Sequence, residues 1–348
     1  MFPNARTACY VAVHHESDPA MLRPLSARRA QPPAGALGDF AAPFADLGAL
    51  RMRTFVPPAL PAGAPLVVVL HGCTQTAAGY DHAAGWSRLA AAHGFALLFP
   101  EQVRANNANL CFNWFEPGDA RRGSGEAASI AAATAAMVVR HRLDAARVFV
   151  TGLSAGGAMS NVMLAAYPDV FAGGAIMAGL PFGVARSVQE ALGAMRSPPA
   201  LPAAALGDRV RAASSYSGPW PRVSVWHGGA DRTVVPANGG AVAAQWADVH
   251  GATADGAGRW RNAAGVTVVE LTEIAGMSHG APIDSRTGCV PAPFMLDVGI
   301  DASAHAAAFW GIAPAVAVAR APLRRSTAAP RRRELADVIA GALRAAGL

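Results

Sequence analysis

Three side chains in this sequence have the types that a nucleophilic mechanism needs, and each stands just beyond an apolar run: Ser154, Asp231 and His279. A serine hydroxyl attacks poorly until an imidazole takes its proton, and the imidazole needs a carboxylate to fix its tautomer and steady its positive charge. Ser154 lies in Gly152-Leu153-Ser154-Ala155-Gly156, directly after the β-type run that begins at Val148. That pattern predicts a serine at the tip of a sharp strand-to-helix turn, with its hydroxyl raised above a sheet. Gly152 and Gly156 flank the turn because a Cβ would clash where strand and helix pass closely. The turn also leaves the Ala155 N–H at a helix start, free to donate to a developing oxyanion.

The other two members have plainer competing readings. Gly228-Gly229-Ala230-Asp231 is good turn chemistry by itself, and His279 is one of ten histidines. His71 and His227 also end apolar runs beside glycine, where they could orient loops instead of moving protons. What singles out His279 is its place after the final strand of the series, which completes the order Ser, Asp, His. The second oxyanion donor is expected from the loop after Leu66–Leu70. His71-Gly72-Cys73 occupies that loop, and the Cys73 N–H is the candidate.

Strands must carry these loops. Leu50–Val56 alternates and stops at Pro57-Pro58, the pattern of a half-exposed strand. Leu66–Leu70, Phe95–Phe99, the run from Val148, Ala172–Ala178, Val223–His227 and Val266–Leu271 read as strands, several of them continuously apolar and so covered on both faces. Helical spacing runs from Asp81 to His93, from Glu126 to Arg140, after Ser154, and from Asn238 to His250. Residues 186–220, with Pro198-Pro199 and Pro202, read as an irregular insertion over the sheet edge. Strands alternating with helices imply an α/β protein with a mostly parallel, doubly wound sheet flanked by helices. Its active groups lie at the carboxyl ends of the strands.

The chain has 348 residues, enough for one α/β domain with ragged ends. At 52% hydrophobic and 15% charged it is globular, not disordered. No apolar run reaches the roughly 18 residues of a membrane span. There is no lysine, so the net charge of +6 is carried by arginine, much of it in Arg28-Arg29, Arg324-Arg325 and Arg331-Arg332-Arg333. Basic termini of this kind can meet nucleic acid or an anionic surface, but solvated tails are the expected reading, and no nucleic-acid partner is expected. Residues 1–38 read as a loose arm, 39–315 as the catalytic domain, and 316–348 as a basic tail. In that tail Leu335, Val338, Ile339, Ala342 and Leu343 share one helical face. The four cysteines, Cys9, Cys73, Cys111 and Cys289, lack metal-ligand spacing, so neither metal nor cofactor is expected; one bridge and four buried thiols both remain open. No conventional signal peptide is expected in residues 1–35.

Taken together, the motifs resemble those of the poly(3-hydroxybutyrate) depolymerase-type esterases, relatives of feruloyl and acetylxylan esterases. The resemblance rests on Leu70–Gln75, Cys111–Phe115, Gly152–Gly156, Gly218–Gly228, Gly276–Gly280 and Phe294–Ile300, and it runs from about Leu50 to Ile312. It implies the α/β-hydrolase fold, a Ser154–Asp231–His279 triad, an oxyanion hole of the Cys73 and Ala155 N–H groups, and a Cys73–Cys111 bridge. It also implies an aromatic substrate contact from Trp114. Trp114, with polar Asn113 beside it, and Trp220 are the candidate substrate contacts, whereas Phe115 reads as core.

The function expected is a serine carboxylester hydrolase acting on poly- or oligo-(3-hydroxyalkanoate), with a polyester or oligoester as its partner. The alternatives are an esterase for feruloyl or acetyl groups on plant polysaccharide, and a non-catalytic polyester-granule binder. The resemblance implies an extracellular or periplasmic location, with the cytoplasm as the alternative. The 36 residues after Ile312 are too few for a separate polymer-adsorbing domain.

Overall fold

The structure, a computed structural model, describes residues 37–40, 43–198 and 200–315. The tail helix expected around Leu335 and nearly all of the N-terminal arm lie outside these residues.

Twelve strands are present among the described residues: β1 (Gly38–Asp39), β2 (Arg51–Phe55), β3 (Leu66–Leu70), β4 (Ala96–Glu101), β5 (Val148–Leu153) and β6 (Gly173–Met177), then β7 (Arg222–Gly228), β8 (Thr253–Ala254), β9 (Arg259–Arg261), β10 (Thr267–Ile274), β11 (Ala281–Ile283) and β12 (Met295–Asp297). The helices are α1 (Ala77–Ala84), α2 (Trp86–His93), α3 (Gly125–His141), α4 (Ala155–Ala166), α5 (Val188–Arg196), α6 (Ala203–Arg211), α7 (Ala237–Val249) and α8 (Ala302–Phe309).

Ten strands form one sheet in the order β1-β2-β4-β3-β5-β6-β7-β10-β9-β8. The central six, from β4 to β10, run parallel, and antiparallel strands finish both edges. Strand β3 shows why the centre is continuously apolar. Leu66, Val68 and Leu70 enter one core and Val67 and Val69 the other, all with essentially no exposure. Each such side chain contributes about 1.5–3 kcal/mol by leaving water. Ile130 and Met137 of α3, Met159 of α4 and Trp246 of α7 fill the first core. Tyr80 of α1, Leu89 of α2 and Ala306 of α8 fill the second. Helices on both faces of a doubly wound, mostly parallel sheet, with a strand-to-helix turn after central β5, make this the α/β-hydrolase fold.

The structure corrects the sequence reading in four places. The helix expected over Asp81–His93 is two helices, α1 and α2, broken at Gly85, whose φ of 70° ends α1. The 186–220 insertion contains α5 and α6. Pro198 follows α5 and Pro202 stands just before α6, so these prolines flank the helices instead of abolishing them. The hairpin β8–β9, too short and polar for a period to register, adds the far edge of the sheet. Beyond β10, the last of the parallel series, β11 and β12 pair as a small separate parallel sheet.

Candidate active site

The ends of β5, β7 and β10 meet at one rim. Ser154 follows β5 directly and begins α4 with φ 57° and ψ −117°, a conformation that L residues adopt only under strain. Its N–H donates to the Met177 carbonyl (2.9 Å) and its carbonyl accepts from Ala158 N–H (2.8 Å), which pins the strained residue from both sides. A Cβ at Gly156 would strike the carbonyl oxygens of Leu70 and His71, so only glycine lets α4 start this close to β3.

Asp231 sits in the turn after β7. Its Oδ1 accepts from the Thr233 and Val234 N–H groups at 2.8 and 3.0 Å. Its Oδ2 lies 2.7 Å from His279 Nδ1 and 3.5 Å from His227 Nε2. Burial would raise the Asp231 carboxyl, but the hydrogen bonds from His227 and His279 outweigh it and hold the group well below the usual carboxylate range. An ionised carboxylate only accepts, so His279 Nδ1 carries the proton and Nε2 is left as the acceptor. That Nε2 lies 3.0 Å from Ser154 Oγ. The loops bearing the two residues are tied together, with Ala230 N–H donating to the Met277 carbonyl (2.9 Å). All three side chains belong to buried residues, with His279 the most open at 7%.

A cleft opens on this rim, lined by Gly72, Cys73, Gln75, Leu153, Ser154, His279 and Phe294. Among the described residues, the Cys73 and Ala155 N–H groups donate to no protein acceptor. Both are therefore available to an anion forming at Ser154. Cys73 is bridged to Cys111, with a Cα–Cα distance of 4.2 Å.

A buried polar network stands behind the Cys73 loop. His71 Nδ1 contacts the Gly72 carbonyl (2.8 Å), and its Nε2 accepts from Gln102 N–H (3.1 Å). Gln102 donates to the Cys111 carbonyl (2.9 Å) and to the Glu126 carboxyl. That carboxyl also accepts from Asn113 N–H at 2.9 Å. Burial pushes Glu126 up to about 8, against the opposing hydrogen bonds from Gln102 and Asn113. His71 is thus an orienting residue whose ring burial keeps it neutral. His227 likewise directs Nε2 at the Val234 carbonyl (2.8 Å) and the Asp231 carboxylate.

The structure brings together Ser154, Asp231, His279, Cys73 and Ala155. It does not bring Trp114, Asn113 or Trp220 into the cleft. Trp114 is packed in the first core, edge-on to Phe115. Asn113 spends its side chain on Asn107 (3.0 Å) and Asp119 (3.4 Å). Trp220 stands half-buried against Tyr216. The wall residues missed by sequence reasoning are Gln75, Leu153 and Phe294. All three lay inside or beside motifs already singled out, but side-chain direction in a loop leaves no local pattern.

Comparison with known proteins agrees with the geometry. A family profile described as "Esterase PHB depolymerase" matches residues 50–273. The chain is 45% identical over 280 residues to poly(3-hydroxyalkanoate) depolymerase C of Paucimonas lemoignei, covering 76% of this chain and 67% of that protein. It is 30% identical over 262 residues to feruloyl esterase B of Neurospora crassa, covering 68% and 85%. Among solved structures, acetyl xylan esterase from Aspergillus awamori superimposes with a TM-score of 0.67 at 23% identity, over 80% of this chain and all of that one, and shares its fold. A serine at the strand-to-helix turn in line with a histidine and a carboxylate, and this extent of likeness, lead to one assignment: the chain belongs to the PHB depolymerase family of esterases.

Proposed function

We propose that this enzyme is a serine carboxylester hydrolase that cleaves poly- or oligo-(3-hydroxyalkanoate). The observation that carries the reading is the unbroken hydrogen-bonded line from Asp231 through His279 to Ser154 Oγ. Ser154 Oγ attacks the ester carbonyl carbon while its proton passes to His279 Nε2. Asp231 steadies the imidazolium. The carbonyl oxygen, now an oxyanion, is held by the Cys73 and Ala155 N–H groups, which cost no reorganisation as charge develops. Collapse breaks the bond to the alkoxy oxygen, which takes the proton from His279 and leaves as an alcohol. Water, deprotonated by His279, then attacks the acyl-enzyme and releases the hydroxy acid and Ser154.

The greater likeness to a polyhydroxyalkanoate depolymerase supports the polyester substrate over plant polysaccharide. A complete, connected set of catalytic types argues against a binder without turnover. Trp220, partly buried against the first core and Tyr216, is the residue we assign to polymer contact, while Trp114 and Asn113 serve the loop that carries Cys111. The Cys73–Cys111 bridge supports an oxidising compartment, extracellular or periplasmic. Free thiols at both positions in native material would contradict that location. Among the described residues no helix is long and apolar enough to cross a membrane.

A substrate panel tests the assignment. Release of 3-hydroxybutyrate from hydroxybutyrate trimer or amorphous granules should exceed release of acetate from acetylxylan or of ferulate from a feruloyl ester. Faster release of acetate or ferulate would move the enzyme to the polysaccharide esterases.

A further inference from the structure

Phe294 stands at the mouth of the cleft with three features that packing alone does not require. Its φ is 64°, in the left-handed region that a bulky residue avoids. Its ring lies edge-on to the His279 imidazole, with centroids 6.1 Å apart, and the residue is partly buried where the two cores reach the rim, packed against each. Its position is tied to the oxyanion loop through Gln75, whose Nε2 donates to the Pro293 carbonyl (3.2 Å) and whose Oε1 accepts from Gly72 N–H (2.8 Å). One amide side chain thus fixes the aromatic wall relative to the Cys73 donor. A second tie, Ala281 N–H to the Phe294 carbonyl at 2.8 Å, holds the wall beside the strand that follows His279.

We propose that Phe294 is a specificity-determining residue: its ring closes the cleft beside Ser154 and limits the acyl group to a short chain. The oxyanion hole sets where the ester carbonyl sits, so a wall locked to that hole sets how far the acyl chain extends from it. Among the described residues, Leu153 is the only other bulky apolar residue lining the cleft, and Phe294 is the main steric limit. The inference rests on Ser154 being the nucleophile.

The test measures kcat/KM of the full chain on p-nitrophenyl esters from acetate to decanoate, for wild type, Phe294→Ala and Phe294→Trp, with thermal melts to confirm folding. Removing the ring should raise the ratio of octanoate to butyrate hydrolysis about tenfold or more, the discrimination that a few methylenes provide in a fitted pocket. The larger indole should lower the ratio of butyrate to acetate. Phe294→Gly, which suits a φ of 64°, carries the same expectation should the alanine variant fail to fold. Unchanged chain-length ratios in folded variants would overturn the proposal. So would a uniform loss across all chain lengths, or a change confined to esters differing in the alcohol. Hydrolysis by wild type that survives Ser154→Ala would instead sink the esterase reading itself, and this inference with it.

Discussion

Two regions of the rim are built in different ways. The Ser154–His279–Asp231 line sits on the ends of three parallel strands, where Ser154 is fixed by a strained turn and Asp231 by two N–H donors from its own loop, while His279 is held by its bond to Asp231, 48 positions away. The cleft wall is fixed by contacts between loops far apart in sequence, such as Gln75 to Pro293 across 218 positions. Ser154 and Asp231 are therefore placed locally, His279 and the cleft wall non-locally.

The largest effect should come from the local region. Ser154→Ala should lower kcat by on the order of 10⁶ with the fold intact, by analogy with removal of other serine nucleophiles. Circular dichroism beside p-nitrophenyl butyrate hydrolysis checks both halves. Asp231→Asn keeps the geometry but leaves His279 without an acceptor for its Nδ1 proton, and kcat should fall by about 10⁴. A loss of tenfold or less would mean that the turn, not the carboxylate charge, is what matters there.

That asymmetry also explains what could be read from the sequence. The strand run, the glycine pair and the serine lie within ten residues, so the elbow was legible, and the apolar runs at 66–70 and 223–227 placed their strands within a residue or so. The cleft wall was not legible. Aromatic identity drew attention to Trp114 and Trp220, yet the same ring chemistry serves a core or a cleft, and only the path of the loop decides. Gly85 was passed over because one glycine inside an apolar stretch resembles a tolerated lapse until its positive φ is known. The hairpin β8–β9 has too few residues to display a period.

Smaller effects sharpen the contrast in the second region. Trp114→Ala should cost about 3–5 kcal/mol of stability, as a buried tryptophan does, while Trp220→Ala should cost under about 1 kcal/mol. Urea melts give both numbers. A reversal would mean that Trp114 faces substrate and Trp220 carries packing.

The smallest effect is one of pH. Glu126, pushed up to about 8 by burial, stays neutral in the folded protein where the unfolded chain's carboxyl, at about 4.5, has ionised. Folding binds a proton in that window. The stability this contributes is complete below about 4.5 and is lost as pH rises through about 8. Glu126→Gln should remove that component and flatten the fall of Tm between those limits. An equal slope in both proteins would mean that the carboxyl ionises freely behind the Cys73 loop.

The central claim is that Ser154, and no other hydroxyl of this chain, is made nucleophilic by His279. The most direct measurement treats native enzyme with a fluorophosphonate and locates the adduct by peptide mass spectrometry. The account predicts one adduct, on Ser154, forming in step with loss of activity and nearly abolished in His279→Ala. An adduct on a different residue that tracks the lost activity, or activity that persists with Ser154 fully modified, would contradict it.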